Sequence, residues 1–241
     1  MKSELKAILG PRHVPLLDHP MDAAPDPQPL TTGMRMDRDE FIRRWEALPG
    51  LKRAELIEGI VYVPSPLGYR HGRYHVHLSV LVGGYGGRTP GVEAGSKSTY
   101  YMLKSAPQPD LFLRLLTECG GQSHVKKNFL HGAPELAIEI SDSSASDDFG
   151  PKLKLYRRAG VQEYITVDAA SGRVVWRTLT EGSYRELAAD AEGVLRSRVF
   201  PGLWLNPSHV VDCDYTAQLA LLEQGIASPE HTAFVERLAR R

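Results

Sequence analysis

Pro109-Asp110-Leu111-Phe112-Leu113, then Pro134-Glu135-Leu136-Ala137-Ile138-Glu139-Ile140-Ser141, then Gly150-Pro151-Lys152-Leu153-Lys154-Leu155-Tyr156 form the stretch whose reading decides the fold. The first piece is a loop-to-strand junction. Pro109 removes a backbone donor and fixes φ, so Asp110 stands at a rigid strand edge. The second piece is an apolar strand with a carboxylate near its far end. The third opens a helix, with Pro151 expected at its first position. Asp110 and Glu139 are 29 residues apart, and Lys152 follows 13 later. Were the two strands neighbours, two carboxylates and an ammonium would meet at one sheet edge. Such a group can bind a hard divalent cation and activate a water beside it.

Each of these residues also has a plainer reading. Asp110 alone is equally an ordinary strand-start aspartate. Glu139 is harder to dismiss: it lies in an apolar run, where a carboxylate needs a cation, a lysine or a proton. Glu135, four residues earlier, is expected at the surface. Lys152 and Lys154 are two apart on a helix and cannot both face the sheet. One is expected towards Glu139, although a solvated face shared with Arg157 and Arg158 accounts equally well for both.

Working outwards, 241 residues with 42% hydrophobic content suffice for a core. Charge is balanced, with 29 Lys and Arg against 29 Asp and Glu. That argues against non-specific coating of nucleic acid, but leaves room for a local basic groove. Cys119 and Cys213 fit neither a metal spacing nor a disulfide framework. The first residues hold no signal-peptide core, and no apolar run reaches membrane-spanning length, so a soluble cytoplasmic protein with no membrane association is expected.

The order of elements predicts a mixed α/β fold around one central sheet. Residues 1–35 read as a Pro-rich leader, 36–210 as the main domain and 211–241 as two appended helices that could serve a homodimer or docking. Asp37 caps a helix, with Glu40 as its capping-box partner. Residues 53–63 read as a hairpin around Glu58-Gly59, in which Glu55 is either a solvent-face residue, the reading its alternation favours, or an inward carboxylate. A helix begins near Tyr69 and is expected to stop at Gly83-Gly84 and Gly86-Gly87. Residues 117–133 read as a loop insertion. Gly160 follows the Lys152 helix as its stop. Glu163–Asp168 reads as a buried strand and residues 172–187 as a hairpin.

Other constellations are weaker. His71 and His75 have the helical spacing of two metal ligands, with His77 nearby, but the glutamate of a zinc-peptidase motif is missing. A single helical histidine such as His71 beside the acidic cluster fits better. The glycines at 83–87 lack both a Walker lysine and a dinucleotide-binding spacing. The serines of 141–146 lack a nucleophile elbow.

Taken in order, Glu55-Leu-Ile-Glu-Gly59, His71, Pro109-Asp110-Leu111, Ala133 to Ser141, Lys152 to Tyr156 and Ala159 to Asp168 resemble the Uma-type (Uma-two) family of endonucleases. That family belongs to the PD-(D/E)xK restriction-endonuclease-like superfamily, and the resemblance spans roughly residues 37–210. It implies a restriction-endonuclease-like core, a central mixed β-sheet flanked by helices, with the site at a sheet edge. It implies that Asp110, Glu139 and the Ile140 carbonyl ligate Mg2+ (or Mn2+), and that Lys152 and Glu55 complete the catalytic set. The lysine of the usual E-x-K triplet would fall at Ser141; in this family a lysine of the next helix replaces it, and Lys152 fits that slot. The chain departs from the commoner Ser-Pro-Ser after the glutamate and has a longer 117–133 segment. The implied substrate is nucleic acid, DNA foremost, with Lys126, Lys127, Arg157 and Arg158 as candidate phosphate contacts. The alternative is a nuclease-fold binding module without turnover, which neutral charge and the C-terminal helices favour.

Overall fold

The computed structural model describes residues 28–141 and 145–240. The fold is the expected mixed α/β one. Element order is α1 (Arg38–Glu46), β1 (Glu55–Ile57), β2 (Ile60–Tyr62), α2 (Tyr69–Gly86), β3 (Val92–Ser96), β4 (Tyr100–Tyr101), β5 (Leu111–Leu115), a 3-10 turn (Thr117–Cys119), β6 (His124–Lys126) and β7 (Phe129–His131). It continues with β8 (Leu136–Ser141), α3 (Ala145–Ala159), β9 (Glu163–Asp168), β10 (Arg173–Thr180), β11 (Ser183–Glu186), β12 (Leu195–Arg196), β13 (Trp204–Leu205), α4 (Pro207–Asp212), α5 (Tyr215–Ile226) and α6 (Pro229–Ala239).

The main sheet has six strands in the order β11-β10-β9-β8-β5-β3. Only β8 and β9 pair in parallel, joined by the α3 crossover; the other neighbours are antiparallel. β8 is buried along its whole length, as a strand covered on both faces must be. Leu111 lies opposite Ile138 in the β5–β8 register. One further step along that register sets Asp110 across from Glu139.

One core face joins Leu78, Leu81 and Tyr85 of α2 to Leu113, Ile138 and Trp176 of the sheet. Tyr156 and Tyr164 belong to a second cluster under α3. Leu222, Phe234 and Leu238 of the two C-terminal helices lie in the same core cluster as α2. Leu30, before α1, is buried in a third cluster with Phe41 and Leu56. Residues 1–27 of the expected leader lie outside the described residues.

Several local expectations change. α2 runs through Gly83-Gly84 and ends at the second expected pair, with Gly86 its last residue and Gly87 its cap. The glycines there serve close approach: a Cβ on Gly84 would come 2.9 Å from Leu222 Cδ2, and one on Gly86 3.2 Å from Ala94 Cβ. α3 starts at Ala145, so Pro151 sits inside it and not at its first position. Residues 142–144 of the expected serine loop lie outside the described residues. Residues 117–133 are an ordered 3-10 turn and a hairpin, not a plain loop. Asp37 does accept the Glu40 N–H, at 2.8 Å, but the Glu40 carboxylate turns to Arg44.

Glu135 is fully buried, against the surface position expected of it. Its carboxylate accepts the Leu115 N–H at 2.8 Å and the Gln122 N–H at 2.9 Å, tying the end of β5 to the segment that leads into β6. Burial pushes the carboxyl above its ordinary range, opposed by those two donors. A raised carboxyl binds its proton more tightly in the fold than in the unfolded chain. Its stabilising contribution is therefore complete below the ordinary value and fades as pH rises through the raised one. The wild type should thus lose stability relative to Glu135→Gln as pH climbs above about 4.5. Glu135→Ala, which orphans both donors, should cost about 2–4 kcal/mol. Denaturant titrations of the three proteins across pH check both results, and superimposable pH profiles would refute the first.

Candidate active site

Four elements, β1, β5, β8 and α3, build the acidic cluster. The β5–β8 register sets Asp110 beside Glu139. A bridge between Leu56 and Ala106 draws β1 to the approach of β5, and the Glu55 carboxylate accepts the Gln108 N–H there. α3 lies against the same strand end and supplies Lys152. Its Nζ lies 2.9 Å from Glu139 Oε2 and 2.9 Å from Glu55 Oε1. All four residues line a cavity of about 650 Å3, whose wall also includes His71 and Ile140.

Each group is held by identifiable partners. Asp110 Oδ2 accepts the Ile140 N–H at 3.0 Å and lies 3.1 Å from His71 Nε2. Burial disfavours the Asp110 charge, but the hydrogen bond and electrostatic pull of His71, then the Lys152 ammonium and the Ile140 N–H, hold the carboxyl below its usual range. Glu139 is pushed the other way by burial; Asp110 and Glu55 add to the shift while Lys152 opposes it. Burial also works against the Lys152 charge, but Glu139, Glu55 and Asp110 together outweigh it and keep the ammonium. Two carboxylates in one site are thus driven apart in acidity by unlike surroundings, a pattern of functional sites.

Tyr156 donates its hydroxyl to Glu139 Oε1 at 2.7 Å. The sequence held a signal for it, since Tyr156 is four residues after Lys152 and shares its helix face. Glu55 is 8% exposed and faces the site, not solvent. The whole of β1 is buried, so the alternation in its sequence does not mark an outer face.

The remaining candidates are placed elsewhere. Of the three histidines, only His71 meets an acidic side chain of the site. His75 Nε2 lies near Ser96 Oγ and the Asp110 carbonyl oxygen, and His77 packs on the Tyr215 ring. Lys126 and Lys127 are exposed at the β6–β7 hairpin, and Arg157 and Arg158 are exposed on α3. Arg158 pairs with Glu58. None of these four lines the cavity.

Among the described residues, no three His, Cys, Asp or Glu side chains group closely enough to hold a metal ion by themselves. The donor chemistry of Asp110, Glu139 and the Ile140 carbonyl is nevertheless all hard oxygen. Mg2+ is commonly held by one or two carboxylates with waters completing its shell, so the residues present fit such an ion in kind.

No curated protein matches the chain. Its fold is similar to a crystal structure described as "a putative nuclease belonging to DUF820 from Anabaena variabilis ATCC 29413", with a TM-score of 0.57 and 17% sequence identity. That match covers 73% of this chain and 98% of the other. The family model Uma2, described as "Putative restriction endonuclease", matches residues 38–208. The match extends over most of the chain and contains all four clustered residues, and the chain therefore belongs to the Uma2 family.

Proposed function

We propose that this chain is a divalent-metal-dependent endonuclease that hydrolyses phosphodiester bonds of nucleic acid, with DNA as the favoured substrate. Family membership supports a nuclease-like function. The observation that carries the finer reading is the Lys152 ammonium bound between Glu55 and Glu139, on the β8 end where Asp110 is next in register.

In this reading Asp110, Glu139 and the Ile140 carbonyl hold Mg2+ or Mn2+. When bound, the ion supplies Lewis-acid stabilisation of the charge that builds on a phosphoryl oxygen. The chain's own residues do the rest. Lys152 presents a fixed positive charge beside the acids, where it orients the attacking water or stabilises developing negative charge. Glu55 holds that ammonium from the other side and keeps it from swinging into solvent. His71 and the Ile140 N–H fix the Asp110 carboxylate so that one oxygen is tied and the other is presented. Tyr156 ties Glu139 Oε1 and Lys152 its Oε2, so both oxygens of that carboxylate are oriented.

The test is cleavage of plasmid and linear DNA, and of RNA, with Mg2+ or Mn2+. Chelation should abolish cleavage and added Mn2+ should restore it. Asp110→Asn and Glu139→Gln should each lower the rate on the order of a hundredfold or more. A wild type that cleaves no nucleic acid with either ion, yet forms a stable complex, would favour the binding module instead.

A further inference from the structure

Among the described residues, Arg53 and Lys97 stand beside the acidic cluster without forming an ion pair. Arg53, two residues before β1, lines the same cavity as Asp110 and Glu139. Its Nε is buried and makes no hydrogen bond. Lys97 follows β3 in the left-handed region, with φ 50°. Its backbone N–H donates to the Pro109 carbonyl at 3.0 Å, which fixes it beside Asp110. Neither side chain forms an ion pair with a described residue, whereas Lys152 forms two.

Both segments are pinned to the same approach of β5: the Lys97 N–H is held by the Pro109 carbonyl, and Glu55, two residues after Arg53, holds the Gln108 N–H. Like charges brought together at a partly buried wall repel, and the arrangement is unfavourable unless an anion joins it. The acids nearby are engaged elsewhere: Glu55 and Glu139 pair with Lys152, and Asp110, one oxygen of which is held by His71 and Ile140, forms an ion pair with neither cation. A guanidinium offers a planar fork matched to two phosphate oxygens, and an ammonium beside it adds a point charge.

We propose that Arg53 and Lys97 form a clamp for a backbone phosphate of the nucleic-acid substrate, adjoining the phosphate presented to Asp110 and Glu139. The clamp rests on the nuclease reading for the identity of its ligand and extends it to two residues outside the acidic cluster. It holds substrate without touching the reacting bond, so Arg53 and Lys97 are positioning residues. Their loss should raise KM more than it lowers kcat.

The experiment uses the full chain with a short fluorescent duplex DNA. Binding is followed by anisotropy with a chelator present, over a series of salt concentrations. The Arg53→Gln/Lys97→Gln pair should weaken binding on the order of ten- to a hundredfold. The slope of log affinity against log salt should become shallower by about 2, one for each cation removed from the phosphate backbone. The charge-retaining pair Arg53→Lys/Lys97→Arg should keep most of the wild-type slope, and thermal midpoints show whether each variant is folded. Wild-type affinity and slope in the glutamine pair would overturn the clamp, as would equal losses in both pairs or a wild type that binds no duplex. The parent reading fails separately. A wild type that binds through Arg53 and Lys97 but cleaves with neither ion sinks the nuclease and leaves the clamp.

Discussion

Replacing Lys152 with Met is expected to lower DNA cleavage about a thousandfold and to destabilise the fold by roughly 3 kcal/mol. Both effects come from one ammonium and can be separated. Lys152 touches Glu139 and Glu55 at 2.9 Å each, and all three side chains are largely buried. Removing the cation leaves two carboxylates facing each other with little water to screen them. Breaking a buried pair from one side is costly for that reason, whereas removing both charges is often nearly neutral. The double variant Glu139→Gln/Lys152→Met should therefore regain most of the lost stability while remaining inactive. Non-additivity of that kind is the signature of a shared interaction. Thermal or denaturant unfolding of the wild type, both singles and the double measures it, beside cleavage assays with Mg2+ and Mn2+. A Lys152→Met protein that cleaves within tenfold of wild type would remove Lys152 from the catalytic set. A double variant as unstable as the single would show that the ammonium's worth lies elsewhere.

The central strands were legible because their signals were local. An apolar run interrupted by one carboxylate, a proline before an aspartate and a lysine on the following helix are each visible within a few residues. Their meeting follows once β5 and β8 pair. What the sequence hid depends on distant chain. Glu55 lies between apolar residues that alternate as if one face were wet, but the strand is roofed by the cluster holding Leu30, Phe41 and Ala106, and its other face closes the site. Glu135 is an acid because backbone donors from the end of β5 and from Gln122 need an acceptor, a need no local pattern displays. The β6–β7 hairpin turns through Lys127 and Asn128, both left-handed at φ 51° and 64°. Without the usual Asn-Gly pair at those positions, the turn gave no hairpin signal. Arg53 and Lys97 are 44 residues apart in sequence, and only the fold brings both segments to the approach of β5.

Gly225→Val should lower the thermal midpoint by about 10 °C, the shift that roughly 3 kcal/mol produces in a chain of this size. Gly225 lies on α5 where the helix meets the turn before β13. A Cβ there would come 2.1 Å from the Gly202 carbonyl oxygen and 3.2 Å from the Trp204 ring. The obstruction is backbone, which cannot rotate aside as a side chain can. α5 must then back away, and overpacking of this sort costs about 1–3 kcal/mol by itself. Leu222, Phe234 and Leu238 are each at most 5% exposed in the core shared with α2, and partial undocking forfeits some of the roughly 1.5–3 kcal/mol that each such side chain contributes. Gly83→Ala is the control. It lies inside α2 with open space around it, and alanine there should stabilise by about 0.5–1 kcal/mol. We propose on this basis that α5 and α6, which follow the segment matched by the family model, brace α2 and through it His71 and Asp110. A Gly225→Val protein that melts with the wild type would instead mark residues 211–241 as an appendage the nuclease fold can do without. A lowered midpoint with a matching loss of cleavage at a temperature where the variant is still folded would show that the brace reaches the active site.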